Sequence, residues 1–197
     1  MKLTLDVENT TTERNGKLHL DPFEPENSLT MVGMLTDQDN ETIVVFDHEE
    51  ASPPDQESFD LVQSHLDQTT VLICHNAAYD LMWLWESGFT YDGAVFDTML
   101  AEYILLRGQK EATSLEACAE RRKLNAQKDD TLKRYFKEGY NTNEIPLSEL
   151  SFYLRCDLDT TSELFHSIEA DYSEPESKSL HTIRDVTFRT CQTLTRM

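Results

Sequence analysis

Basic residues are scarce in this chain: 17 lysines and arginines stand against 37 aspartates and glutamates, a formal net charge of −20 over 197 residues. That imbalance argues against tight binding to nucleic acid or an anionic membrane by charge alone. Cysteine is sparse as well. Cys74, Cys118, Cys156 and Cys191 stand singly, with neither the C-x-x-C spacing of a zinc or redox site nor the density of a disulfide scaffold, so a reducing cytoplasm is the expected compartment. No apolar run approaches the length that spans a bilayer, and Asp6 and Glu8 interrupt the early segment where a secretory signal would be apolar. No internal repeat, long linker or low-complexity tract is present. The acidic stretches DQDNE, DHEEASPPDQES and DYSEPES read as solvated loops. Apolar residues still make up 39% of the chain, enough for one domain with a real core.

Leu3, Leu5 and Val7 alternate with Thr4, Asp6 and Glu8, which predicts a first β-strand with both acids on one face. LTMVGML and TIVVF flank the polar turn TDQDN and predict a hairpin. Phe59, Val62 and Leu66 predict a helix after SPPDQ. TTVLIC reads as a strand, followed by a helix over HNAAYDLMWLWESG that Asn76 would cap and Gly88 end. AVFD is a short fifth strand, with the helix TMLAEYILL behind it. The rest reads as α: SLEACAERRK, DTLKRYFKEG, the long segment from PLSELSF to IEADY, and a last helix from about Lys178. The expected fold class is therefore α/β: a mixed sheet, three antiparallel strands first and parallel additions after, flanked by helices, with an α-rich C-terminal half.

Acids fall at three places where burial is expected. Asp6 and Glu8 share a face of an apolar strand that should be central and covered on both sides. Asn76 and Asp80 lie one helical turn apart at the start of a helix that leaves a strand, although a cap and a first-turn acid would also explain them. Tyr153 and Asp157 flank an apolar stripe of Leu147, Leu150, Leu154, Leu158, Thr161, Phe165 and Ile168. Asp157 has no basic partner one turn before or after it. Buried carboxylates need pairing or a metal. Four of them from three elements suit hard divalent cations, and a pair of such ions about 4 Å apart can clamp a phosphodiester for in-line attack.

Taken together, LDVE, HNAAYD and YLRCDLD resemble the motifs of the 3′→5′ proofreading exonuclease domain of family A, DNA polymerase I-like polymerases, in the tyrosine subclass of the four-acid DEDD nucleases. FDTMLAEYIL and SLEACAERR resemble the segments that follow the family's second motif. The resemblance implies an RNase H-like fold over residues 1–170, with residues 171–197 a helix leading toward a polymerase domain. It implies two Mg²⁺ or Mn²⁺ ions. Asp6, Glu8 and Asp157 would bind the first; Asp6 would bridge to the second, on the side of Asp80. Tyr153 and Glu8 would orient the attacking water, and nucleoside 5′-monophosphates would leave a single-stranded or frayed DNA 3′ end. Asn76 matches a position near the terminal nucleotide. His75 is not expected to be catalytic.

The first motif lies at residue 6, as in a bacteriophage polymerase, for which the compartment would be the host cytoplasm. The chain stops at CQTLTRM without palm or fingers motifs, so the implied polymerase partner is either the rest of a longer chain or a separate subunit. Two other readings compete: an exoribonuclease of the RNase D type, and a catalytically silent scaffold for a polymerase. No membrane partner is expected.

Overall fold

A computed structural model describes residues 1–125 and 131–196. The central sheet contains β1 (Lys2–Asn9), β4 (Leu29–Thr36), β5 (Glu41–Val45), β6 (Val71–Cys74) and β7 (Ala94–Asp97), in the order β5-β4-β1-β6-β7. β1, β4 and β5 pair antiparallel, while β6 joins β1 and β7 joins β6 in parallel. The mixed sheet expected from the sequence is therefore present, with the acid-bearing strand at its centre. A separate two-stranded ribbon, β2 (Thr12–Arg14) with β3 (Lys17–His19), was not anticipated.

The helices are α1 (Gln56–Asp67), α2 (Ala77–Glu86), α3 (Thr98–Leu105), α4 (Leu115–Arg122), α5 (Thr131–Glu138), α6 (Leu147–Ser173) and α7 (Lys178–Thr195). Asp130, which opens the segment expected to form α5, and Met197 lie outside the described residues. α6 passes residue 170 without a break. No described helix is long and apolar enough to cross a membrane.

The alternation in β1 sorts its side chains between two cores. Leu3, Leu5 and Val7 join Val32 and Met34 of β4 and Val62, Leu66, Leu81 and Leu84 of α1 and α2. On the other face, Leu150 and Leu154 of α6 pack with Met31, Leu132 and Ile145. Further along α6, Leu164, Phe165 and Ile168 meet Ile73, Phe96 and Phe188. Fully burying one such side chain stabilises the fold by about 1.5–3 kcal/mol. Covering both faces is what forces Asp6 and Glu8 into a partly buried setting.

Gly33 sets how closely α6 approaches that face. It stands opposite Asp6 in the β1–β4 ladder. A Cβ there would lie 2.8 Å from Leu154 Cγ and 2.9 Å from Leu158 Cδ1, inside contact distance. Those two leucines bracket Asp157 on α6, so the missing side chain lets the helix bring its acid down onto β1. Gly33→Ala should therefore destabilise the fold by about 1–3 kcal/mol through overpacking. Urea unfolding would measure this, and unchanged stability would show that α6 has room to move.

Candidate active site

The carboxyl ends of the parallel strands are where α/β proteins place their sites, because the chain leaves each strand there into a loop and a helix N-terminus. Here β1 delivers Asp6 and Glu8 near its end, and α2, leaving β6, delivers Asp80 in its first turn. α6 crosses the same face with Tyr153 and Asp157 one turn apart. Asp80 is almost wholly buried at 2% exposure, and Asp6, Glu8, Tyr153 and Asp157 are partly buried.

Burial raises all four acids, and for three of them the charge of another of the four adds to it. Burial and the charge of Asp157 push Asp6 up to about 8. Glu8 is raised well above the usual carboxylate range by burial and by Asp6, Asp157 and Asp80 in turn. Asp80 is raised likewise, by burial and then by Asp6 and Asp97. Burial lifts Asp157 to about 6, and the phenol of Tyr153 partly opposes this. The backbone N–H of Val7 favours the ionised forms of both Asp6 and Asp80, which places Asp80 against β1. Among the described residues, no lysine or arginine is ion-paired with any of the four.

Tyr153 is raised far above an ordinary phenol by burial and by the charges of Asp157 and Glu8. It therefore remains a hydroxyl that can donate, rather than a base. His75 is a neutral, fixed ring: its Nδ1 lies 2.8 Å from Thr98 Oγ1, its Nε2 lies 3.0 Å from the Thr113 carbonyl, and burial lowers it to about 4.

Asn76 corrects one expectation. Its side chain makes no capping hydrogen bond, and its backbone sits in the left-handed region at φ 71°. The capping acceptor is Asp97, at the end of β7, which a reading of local sequence passed over. The Asp97 carboxylate accepts the Ala77 N–H at 3.0 Å and the Asn76 N–H at 3.3 Å, while also capping α3 through the Leu100 N–H at 3.1 Å. One buried acid thus fixes the starts of two helices, including the one that carries Asp80. On the opposite side of α2, Tyr79 donates to Asn9 Oδ1 at 2.6 Å and ties the end of β1 to the same helix. Cys74 adds a buried thiol beside Asp80.

Carboxylate oxygens are the donors that hard divalent cations take, and no described lysine or arginine offsets these four. Among the described residues, no group of three or more His, Cys, Asp or Glu side chains is arranged so that it could hold a metal ion as it stands.

Two consequences are measurable. The folded values of these acids lie above their unfolded ones, 3.8 against about 8 for Asp6, so the folded state holds extra protons across that interval. Their contribution to stability is present at low pH and is lost as pH rises through the folded value. In EDTA, the melting temperature should fall between about pH 5 and pH 8 more steeply for the parent chain than for Asp6→Asn. Added Mg²⁺ should restore only the parent at the upper pH, whereas equal slopes would deny the repulsion. Separately, Asp97→Ala should destabilise by about 1–3 kcal/mol by orphaning buried N–H groups, with Asp97→Asn falling between it and the parent. Identical denaturation curves for all three would remove Asp97 from this role.

No protein-family model matches the sequence, and neither does any curated protein. Similarity appears among solved structures instead. A structure described as the apo form of the nuclease matches with a TM-score of 0.69 at 17% identity, over 99% of this chain and 83% of that one. Brucella melitensis NrnC, solved with bound Mg²⁺ and bound to pGG, matches at TM-score 0.66 and 18% identity, with the same coverage. The POL domain of Pol1 from M. smegmatis, in complex with DNA primer-template and dNTP, matches at 0.61 and 14% identity, over 98% of this chain and 27% of that one. At these identities the likeness establishes the architecture, which is that of an RNase H-like nuclease fold.

Proposed function

We propose that the protein is a metal-dependent 3′→5′ exonuclease that removes nucleoside 5′-monophosphates from single-stranded or frayed ends. The observation that carries this reading is the convergence of Asp6, Glu8, Asp80 and Asp157 from three elements, each raised by the others or by burial, with Tyr153 beside Asp157. Asp6, Glu8 and Asp157 would hold one Mg²⁺ or Mn²⁺, and Asp6 with Asp80 a second. When bound, the ions would neutralise the acids, increase the acidity of water and stabilise charge on the phosphodiester.

The protein's own groups then have distinct tasks. Tyr153, held protonated, donates a hydrogen bond that orients the attacking water, while Glu8 accepts one from it. Water adds its oxygen to the terminal phosphorus, the bond to the 3′-oxygen breaks, and that oxygen takes a proton as the shortened strand leaves. The residue one turn before Asp157 is Tyr153, not a histidine, so no imidazole base stands beside that acid on its own helix face. Asn76, immediately before α2, would meet the terminal nucleotide.

Proofreading of DNA, beside a polymerase domain or subunit, is the substrate reading that follows from the three motifs. A second reading, hydrolysis of RNA or short oligonucleotides, is favoured by one observation. The nuclease chains match at higher TM-scores than the polymerase chain, and NrnC was solved bound to pGG. A 5′-labelled single-stranded DNA and an RNA of the same sequence, each incubated with Mg²⁺, Mn²⁺ or EDTA, test both. A metal-dependent ladder shortening from the 3′ end is expected, reduced more than about 100-fold in Asp6→Ala and Asp157→Ala. The ratio of rates on DNA and RNA assigns the substrate. Intact strands in both metals, from a folded protein, would refute the exonuclease.

A further inference from the structure

Four-residue steps along α7 set one row of its side chains against the body of the protein. Leu180 packs on the cluster that buries Phe188. Between them Arg184 lies over the Tyr172 ring at 4.9 Å, and beyond them Gln192 donates to the Gly93 carbonyl at 3.1 Å. The helix is thereby held at the β7 edge, packed on α2 and α3. A second row is left uncovered. Ile183, Val186 and Leu194 are each more than half exposed, as is Tyr103 on α3. Between α3 and α7 runs a groove of about 560 Å³, lined by Leu100 of α3 and by Val186, Thr190, Cys191 and Leu194 of α7.

The uncovered row reads the same in both directions. Ile183, Val186, Thr187, Thr190, Cys191 and Leu194 follow one another at steps of three, one, three, one and three, so they share a helix face. Their sizes mirror as well: Ile183 and Leu194 stand at the ends, Val186 and Cys191 inside them, and two threonines at the centre. Such a face is complementary to itself when a second helix lies against it antiparallel. A two-fold axis between Thr187 and Thr190 sets Ile183 against Leu194 of the second copy and Val186 against Cys191 of the second copy. The small central pair lets the two helices approach closely.

Charge points the same way. Two bodies of net charge −20 repel one another over most of their surfaces. Among its 18 residues α7 carries a single acid, Asp185, and Arg184 holds that acid at 2.8 Å. The uncovered row itself contains no charged residue. Area then limits the strength of association. A helix of this length runs about 27 Å. With the flank of α3 the face amounts to about 500 Å² per copy, near the lower limit for a specific interface, so the contact should be reversible.

We propose that this face joins two copies of the chain as an antiparallel, two-fold α7–α7 pair. A nucleic acid would meet an uncharged strip there, and an unrelated protein would give no reason for the mirrored order of the residues. The inference does not rest on the exonuclease reading, since α7 packs at the β7 edge, two strands from the acids of β1.

Sedimentation velocity on the chain between about 1 μM and about 1 mM reads the pairing. A reversible monomer–dimer equilibrium is expected, strengthened by salt because screening relieves the repulsion between two acidic bodies. Val186→Glu should weaken it by about tenfold or more, without lowering the melting temperature of the dilute chain, since the side chain is exposed. Val186→Cys tests the register. Under mild oxidation it should give a disulfide-linked dimer through Cys191 of the second copy, abolished when Cys191→Ser is added. Five residues apart on one helix, the two thiols cannot bridge within a chain. A chain that stays monomeric at every concentration, with no linked dimer from Val186→Cys, would overturn the pairing and leave the groove to a different protein. A dimer indifferent to Val186→Glu would put the contact elsewhere and overturn it equally.

Discussion

Four carboxylates held within range of one another, and half out of water, form an arrangement that a folded chain resists. Burial raises all four, Asp157 adds to the rise of Asp6, and Asp6 adds to those of Glu8 and Asp80; Asp6 is driven to about 8. The protein answers with rigid delivery rather than with basic partners. Asp6 and Glu8 ride on the central strand, where their register opposite Gly33 and Met31 of β4 fixes the face they occupy. Asp80 is fixed because Asp97 anchors the first N–H groups of α2 and Tyr79 binds the end of β1. Asp157 is fixed because the leucines on either side of it settle into the space left by Gly33. The constraint runs through the architecture, since β1 and Tyr79 pack in one core while Leu154 packs in another.

The two-sided burial of β1 explains why the site and the stability of the fold are inseparable. A solvated strand face would carry Asp6 and Glu8 at no penalty, but it would also hydrate them, weaken their coupling and reduce their hold on a cation. Covering that face with α6 raises the acids and makes positive charge a condition of comfort. Cation binding at such a site is coupled to proton release, because the acids must ionise to serve as ligands. The least comfortable region of the fold is thus the one to which the proposed chemistry is assigned.

Much of this was legible in the sequence, for a physical reason. The period-2 alternation of Leu3 to Glu8 and the stripe of α6 are imposed by local geometry, so each element announces its own buried face. The candidate acids showed themselves as charges on such faces, and in the structure Asp80 is buried while Asp6, Glu8 and Asp157 are partly buried. What stayed hidden is non-local. Asp97 reads as an ordinary helix cap, and its hold on Asn76 and Ala77 spans about twenty residues of chain, which no window of sequence contains. The same distance led to Asn76 being assigned a capping role that Asp97 performs. Glu102, almost wholly buried against Arg121 and Arg122, is another case. The ribbon of β2 and β3 was missed because three-residue strands are too short for alternation to register.

The acidity that first argued against a polyanion ligand takes on another meaning once the charges have positions. Between exposed charges, screening limits attraction and repulsion to about 8 Å at physiological ionic strength. Beyond that range the net charge of −20 matters little, and within it the local sign decides. On the exonuclease reading, a flexible unpaired end can bring its last phosphate to the carboxylates while the rest of the strand keeps more than a screening length from the acidic surfaces, whereas a stiff, broad duplex must approach them. Weak affinity would then contribute to selectivity for unpaired ends.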